Sequence, residues 1–306
     1  MAAMNDTDLY PGWQGYAYPA GAGRKAQIDA QSPSKAAGMT VAEEDTCRAS
    51  ASSRMGKLGM GLFLSQYTIG IAHTFFHRFF SRQSYKQHDW SLVALTSIFL
   101  ASKVEESAKR LDEVVAQHFQ IASPGTRVLK DSKIFQHFRT EVTKCERILL
   151  HTLAFEICVD PPQKKVVLLI RHMREADKKA IVGTDDVVSK DMVEKIKLLS
   201  VQYNDLMNAA MAFVNDSQRS TLCLQYPPHQ IAFASITMAN EWLSSKRPRW
   251  KTRDPKAGLG KLVEPEEGSV EEICSQMRQT LENPNTMETL VQAGMEGPAS
   301  KRQRMN

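Results

Sequence analysis

The chain has only five cysteines in 306 residues, Cys47, Cys145, Cys158, Cys223 and Cys274, and no two of them form a CxxC pair. Scattered and odd in number, they read as reduced thiols of an intracellular protein and exclude a disulfide framework. No run approaches eighteen apolar residues, and the N-terminus lacks the basic-then-apolar layout of a signal peptide. A soluble protein with no membrane association is therefore expected. Strict alternation of apolar and polar residues is nearly absent, which argues against a sheet. Also missing are a glycine-rich phosphate loop, a Gly-x-Ser-x-Gly elbow and the kinase signature set, so neither catalysis nor a cofactor is expected. His73 and His77 stand four apart, a spacing that can hold a metal. No HExxH arrangement or third ligand accompanies them, and they read as packing or surface histidines.

What remains is an ordinary globular composition, 42% hydrophobic and 24% charged, with length for one large domain or two of moderate size. The net charge of +5 suits a protein that works near nucleic acid without requiring it to bind any. Residues 1–38 are rich in Gly, Ala, Pro, Tyr and Ser and read as a flexible arm. From 41 to 156 the pattern turns helical, with five segments. Ser65 can cap a helix whose apolar residues Ile69, Ala72, Phe76, Phe79 and Phe80 recur at three- and four-residue steps. Residues 92–103 are apolar on nearly all sides, which places that helix inside a bundle, and they end in Lys103-Val104-Glu105-Glu106. A core helix thus delivers a charged tip to a surface, with the lysine in the last turn where the helix dipole favours a cation. The helix through Phe135, Phe138, Val142, Cys145, Leu149 and Leu153 carries Arg139, Lys144 and Arg147 on its other face.

Asp160-Pro161-Pro162 breaks the chain, because proline cannot continue a helix. Helical patterns resume at 166–173, 193–214, 231–243 and 270–281, and Pro227-Pro228 suits the start of the third. Residues 232–239 again are apolar nearly all round, so each half has a buried central helix. The implied organisation is an arm (1–38), a first helical unit (39–158), a second (159–285) and a polar, basic tail (286–306). The run Lys246, Arg247, Arg249, Trp250, Lys251 and Arg253 has three readings: a phosphate-binding patch with a stacking indole, a nuclear import signal shared with Lys301-Arg302-Gln303-Arg304, or a solvated loop.

Taken in order, Ser32-Pro33-Ser34, Arg48, Phe76-His77-Arg78-Phe79, Leu100-Ala101-Ser102-Lys103-Val104-Glu105-Glu106 and Cys145-Glu146-Arg147-Ile148-Leu149-Leu150 through Leu153-Ala154-Phe155-Glu156 resemble the successive signatures of a cyclin box. More narrowly they resemble the transcriptional cyclins of the T, K and L kinds, and Gln225-Tyr226-Pro227-Pro228 is similar to the entry of a second box of that group. The resemblance covers about residues 30 to 283. It implies an all-α protein of two tandem five-helix boxes that activates a cyclin-dependent kinase as a heterodimer. Its target would be the C-terminal domain of RNA polymerase II, and its location the nucleus. By motif position, Lys103 and Glu146 would grip the kinase, with Glu106, Val104, Phe79, Leu149 and Phe155 supplying contact or the support beneath it. Arg48 would anchor the fold internally. The patch that docks substrate motifs in cell-cycle cyclins is here Cys47-Arg48-Ala49-Ser50-Ala51-Ser52-Ser53, too polar to form an apolar groove. A rival reading is a cyclin-fold DNA-binding factor, which would need a basic face along the second box. Whether nucleic acid binds is left open.

Overall fold

The computed structural model describes residues 18–19, 23–125, 128–182, 190–247 and 265–282, with Trp250, Asp254, Pro255, Leu259 and Val263 between the last two stretches. All regular elements among the described residues are helices: α1 Arg24–Ala30, α2 Pro33–Ala36, α3 Val41–Gly61, α4 Gln66–Phe80, α5 Trp90–Val104, α6 Leu111–Ala122, α7 Lys133–Thr152, α8 Pro162–Val182, α9 Lys190–Ser217, α10 Leu222–Gln225, α11 Pro228–Lys246 and α12 Ser269–Glu282.

Helices α3–α7 form the first bundle around α5, which packs against α3, α4, α6 and α7. Ten consecutive residues of α5, from Val93 to Ser102, are buried, as an all-round apolar sequence requires. Their hydroxyls are satisfied within the helix: Thr96 donates to the Leu92 carbonyl and Ser97 to the Val93 carbonyl. Local chemistry sets the boundaries. Thr40 and Glu43 form a reciprocal capping box at the start of α3, and Ser65 accepts from the Thr68 amide to start α4. Arg48 is buried on α3 and paired with both Glu44 and Asp45.

The second bundle repeats the plan around α11, whose residues 230–239 are all buried and which packs against α8, α9 and α12. Pro228 occupies its first turn. The bundles meet where α4 crosses α8 and α10. Gly70 is required there, since a Cβ on it would lie 2.4 Å from Gln163 Oε1 and 3.0 Å from the Pro161 side chain. His77 Nε2–H donates to the Gln218 carbonyl at 2.9 Å, and Gln163 donates to Asn215, which donates to Gln66. His73 instead donates through Nδ1 to the Ile69 carbonyl and accepts from Ser52 at Nε2. The two histidines do not converge, and they serve packing. Burial lowers the pKa of His73 to about 4 and that of His77 to about 3.

Residues 24–36, expected to be part of a loose arm, form two short helices docked across both bundles. Arg24 is 2% exposed: it donates to the Gln225 carbonyl, lies over the Tyr226 ring and pairs with Glu266. Ser34 is fully buried and accepts from the Tyr85 amide. Composition gives no hint of this, because the order comes from partners up to 242 residues away and not from local propensity. Residues 1–17 and the tail 286–306 lie outside the described residues.

Candidate functional site

The core helix α5 ends in a turn whose left-handed position glycine usually fills. Ser107 N–H reaches back to the Ser102 carbonyl and Glu106 N–H to the Lys103 carbonyl, the pair of bonds of a Schellman turn. The residue this turn throws into the left-handed region is Glu106, at φ 51°, where glycine would be unstrained. α7 ends in the same manner: Phe155 N–H bonds the Leu150 carbonyl and Ala154 N–H the His151 carbonyl, with Ala154 and Phe155 at φ 53° and 60°. Phe155 is 59% exposed, an aromatic ring held outward by a strained backbone. The end of α7 is fastened by α4 and the turn after it: Arg82, just past the helix, donates to the Thr152 carbonyl, and Arg78 on α4 lies 3.9 Å from the Glu156 carboxylate.

Between these two ends Lys103 and Glu146 form an ion pair. Lys103 Nζ is 2.8 Å and 3.0 Å from the two carboxylate oxygens of Glu146, and it stands 4.0 Å from the centre of the Phe99 ring. The lysine side chain is 43% exposed and the glutamate only 14%, so the anion is held in a partly desolvated seat while the cation faces outward. Such a half-exposed pair contributes only about 0–1 kcal/mol to stability. Its value is positional, since it fixes two charges of opposite sign on a rigid face.

The other residues expected at the site divide by burial. Val104 is half-buried on the first core, and Glu106 is exposed beside Lys103 in sequence. Phe79 and Leu149 are fully buried, which leaves them, of the two expected roles, the support beneath the face. Both lie on the inner stripe of their helices, where a 3.6-residue period puts them. Two apolar residues on the surface were missed. Ile148 is 43% exposed and Leu150 is half-buried, and both sit off the inner stripe of α7. An apolar residue out of phase with a clean stripe was the available signal.

The basic run of the second bundle behaves differently. Arg247 pairs with Asp205 on α9, and Trp250 packs on the second core with its indole N–H donating to Asn240 at 2.8 Å. That indole is committed and cannot stack on a base. Arg249, Lys251 and Arg253 lie outside the described residues, as do Lys301, Arg302 and Arg304. No group of three His, Cys, Asp or Glu side chains among the described residues is arranged to hold a metal ion.

Comparison with known proteins agrees with this geometry. Residues 25–158 match the family described as Cyclin, N-terminal domain. The chain is 34% identical to Cyclin-T1-5 of Arabidopsis thaliana over 74% of its own length and 35% of that relative's. It is 30% identical to Cyclin-T1-3 of the same plant over 74% of its own length and 65% of that relative's. It thus spans less than two thirds of the relatives it matches. A chain in the crystal structure of the yeast RNA Pol II CTD kinase CTDK-1 complex shares the fold, with a TM-score of 0.63 at 17% identity over 92% of this chain and 84% of that one. Residues 25–158 thus match a cyclin N-terminal domain, and the chain is similar to T-type cyclins over 74% of its length.

Proposed function

We propose that the chain is the activating, non-catalytic subunit of a cyclin-dependent kinase that phosphorylates the C-terminal domain of RNA polymerase II. The observation that carries this reading is the Lys103–Glu146 pair, displayed between the strained ends of α5 and α7 beside the outward Phe155 and Ile148. A kinase is active only when the lysine of its third strand and the glutamate of its C-helix are paired. A rigid bundle that binds the inward C-helix more tightly than the outward one shifts the population to the active state. Lys103 and Glu146 give register through charge-assisted hydrogen bonds. Phe155, Ile148, Val104 and Leu150 supply apolar area within an interface that must bury more than about 1,000 Å² in total. The polymerase target and a nuclear location draw support from relatives with T-type cyclin names and from a structural neighbour in a CTD kinase complex.

The test exchanges the two charges. In K103E/E146K the intramolecular pair re-forms with its polarity reversed, so the fold and its thermal midpoint are retained while the partner meets the wrong sign at both positions. Capture of a kinase by the wild-type chain, and its loss with the exchanged pair, is the expected result. Undiminished capture by K103E/E146K sinks the assignment of this face.

A further inference from the structure

The N-terminal arm carries a chemical signature that the kinase-facing surface does not use. Ser32-Pro33-Ser34-Lys35 places proline directly after a serine and a lysine three residues on, the pattern that proline-directed serine/threonine kinases accept. Lys35 is exposed and Ser32 is half-buried. In the docked arm the Ser32 hydroxyl donates to Glu44 Oε1 at 2.5 Å, a bond that ties α2 to α3. The other oxygen of Glu44 is held by Arg48, and both of those side chains are buried. Arg48 is also engaged by Asp45, and the Asp29 carboxyl feels the charges of Glu44, Asp45, Arg48 and Lys25. Ser32 therefore points at the Glu44 carboxylate, whose guanidinium partner Arg48 is already shared with Asp45.

We propose that Ser32 is a phosphorylation site for a proline-directed kinase, and that its phosphate releases the N-terminal arm from the two boxes. In the transfer, Ser32 Oγ attacks the γ-phosphorus of ATP. The new O–P bond forms as the bond to the β,γ-bridging oxygen breaks, ADP leaves, and the hydroxyl proton passes to the kinase's catalytic aspartate. The modified side chain carries about −1.5 to −2 charges and has no proton to give Glu44, so a hydrogen bond becomes a like-charge contact. Access comes from the arm itself. α1 has seven residues and α2 four, far below the length at which a helix persists alone, so the arm samples an open state in which Ser32-Pro33 is extended. Phosphorylation of that state blocks re-docking of the α2 contact and thereby weakens the Arg24 clasp on the second box. The proposal is independent of the kinase-subunit reading, since any proline-directed kinase can modify the arm.

The experiment uses the full chain with ATP and a recombinant mitogen-activated protein kinase. It is done in a Ser123→Ala background because Ser123-Pro124 is the other Ser-Pro pair. Peptide mass spectrometry locates the phosphate, and tryptic cleavage after Arg24 and Lys25 reads arm release. One phosphate on Ser32 and cleavage faster by about tenfold are expected, the ratio that one modest charge repulsion yields. S32A treated in the same way shows no kinase-dependent change. In Glu44→Gln the amide can donate to the phosphate, and the acceleration falls to about twofold or less. An unmodified Ser32 under conditions that phosphorylate a control peptide overturns the proposal. So does a phosphate that leaves cleavage unchanged or slows it, and so does an equal acceleration in Glu44→Gln.

Discussion

The two boxes are built alike and finished differently. Each surrounds a central helix with ten consecutive buried residues, Val93–Ser102 in α5 and 230–239 in α11. Each central helix carries a lysine in its last turn, Lys103 and Lys246. Beyond that lysine they part. α5 runs into a left-handed glutamate and displays an ion pair to solvent, whereas α11 ends in extended Arg247, which pairs with Asp205, and its flank is covered by Trp250. A repeated core thus supplies a scaffold, and both tips carry a partly exposed ion pair but leave the helix differently, one through left-handed Glu106 and the other through extended Arg247. The difference lies in a handful of residues after the helix and not in the packing that supports it.

The largest expected effect tests whether the scaffolds are equivalent. Phe79→Ala in the first box and Phe233→Ala in the second each remove a ring at most 2% exposed, and each should cost about 3–5 kcal/mol of unfolding free energy. Hydrogen exchange then asks whether damage to one box weakens protection in the other, as the shared α4–α8 contact requires. If Phe233→Ala leaves every first-box amide as protected as before, the boxes are separate units and the comparison loses its common frame.

Acid should separate the two halves next. The folded pKa values of His73 and His77 lie below the unfolded value near 6.5, so their contribution is fully present above that pH and lost as pH falls toward 4 and 3. Each histidine then removes about 1.4 kcal/mol per pH unit below 6.5. Denaturant titrations from pH 7 to 5 should show this slope in the wild type and a reduced one in His73→Gln. An unchanged slope contradicts a buried neutral imidazole.

A smaller effect is expected at the seam. Gly70→Ala places a methyl against Gln163 and Pro161 and should cost about 1–3 kcal/mol by overpacking, read as a lower thermal midpoint. The smallest concerns the tips themselves. Glu106→Gly relieves a left-handed residue and should stabilise the chain by about 1 kcal/mol, while Arg247→Gly, at an extended φ of −128°, gains nothing. Equal responses at the two positions erase the distinction between a left-handed and an extended helix end.

Much of the scaffold was legible. The reading of 92–103 as a core helix falls within Trp90–Val104, and Ser65 and Pro228 start their helices as their chemistry dictates. Lys103 and Glu146 were placed by motif, and the structure brings them together across 43 residues of sequence. The inward phase of Phe79 and Leu149 could be read from the stripes of their helices. Two things were hidden, for distinct reasons. The order of α1 and α2 depends on contacts with residues far along the chain, which composition cannot report. The left-handed Glu106 and Phe155 break the expectation of glycine after a helix, so no residue type announced them.

The grip of Arg24 on Gln225 also bears on how the chain is made. The arm leaves the ribosome first, yet its partner carbonyl is synthesised 201 residues later, a delay of roughly 10–40 s at ordinary elongation rates. During that interval the first box can fold around α5, because its five helices contact one another locally. α2 can dock on the first box at once through Ser32 and Ser34, but Arg24 must wait unpaired until the second box has emerged. Its clasp is therefore the closing event of biosynthesis, and a protease that meets the chain before then meets Arg24 and Lys25 exposed.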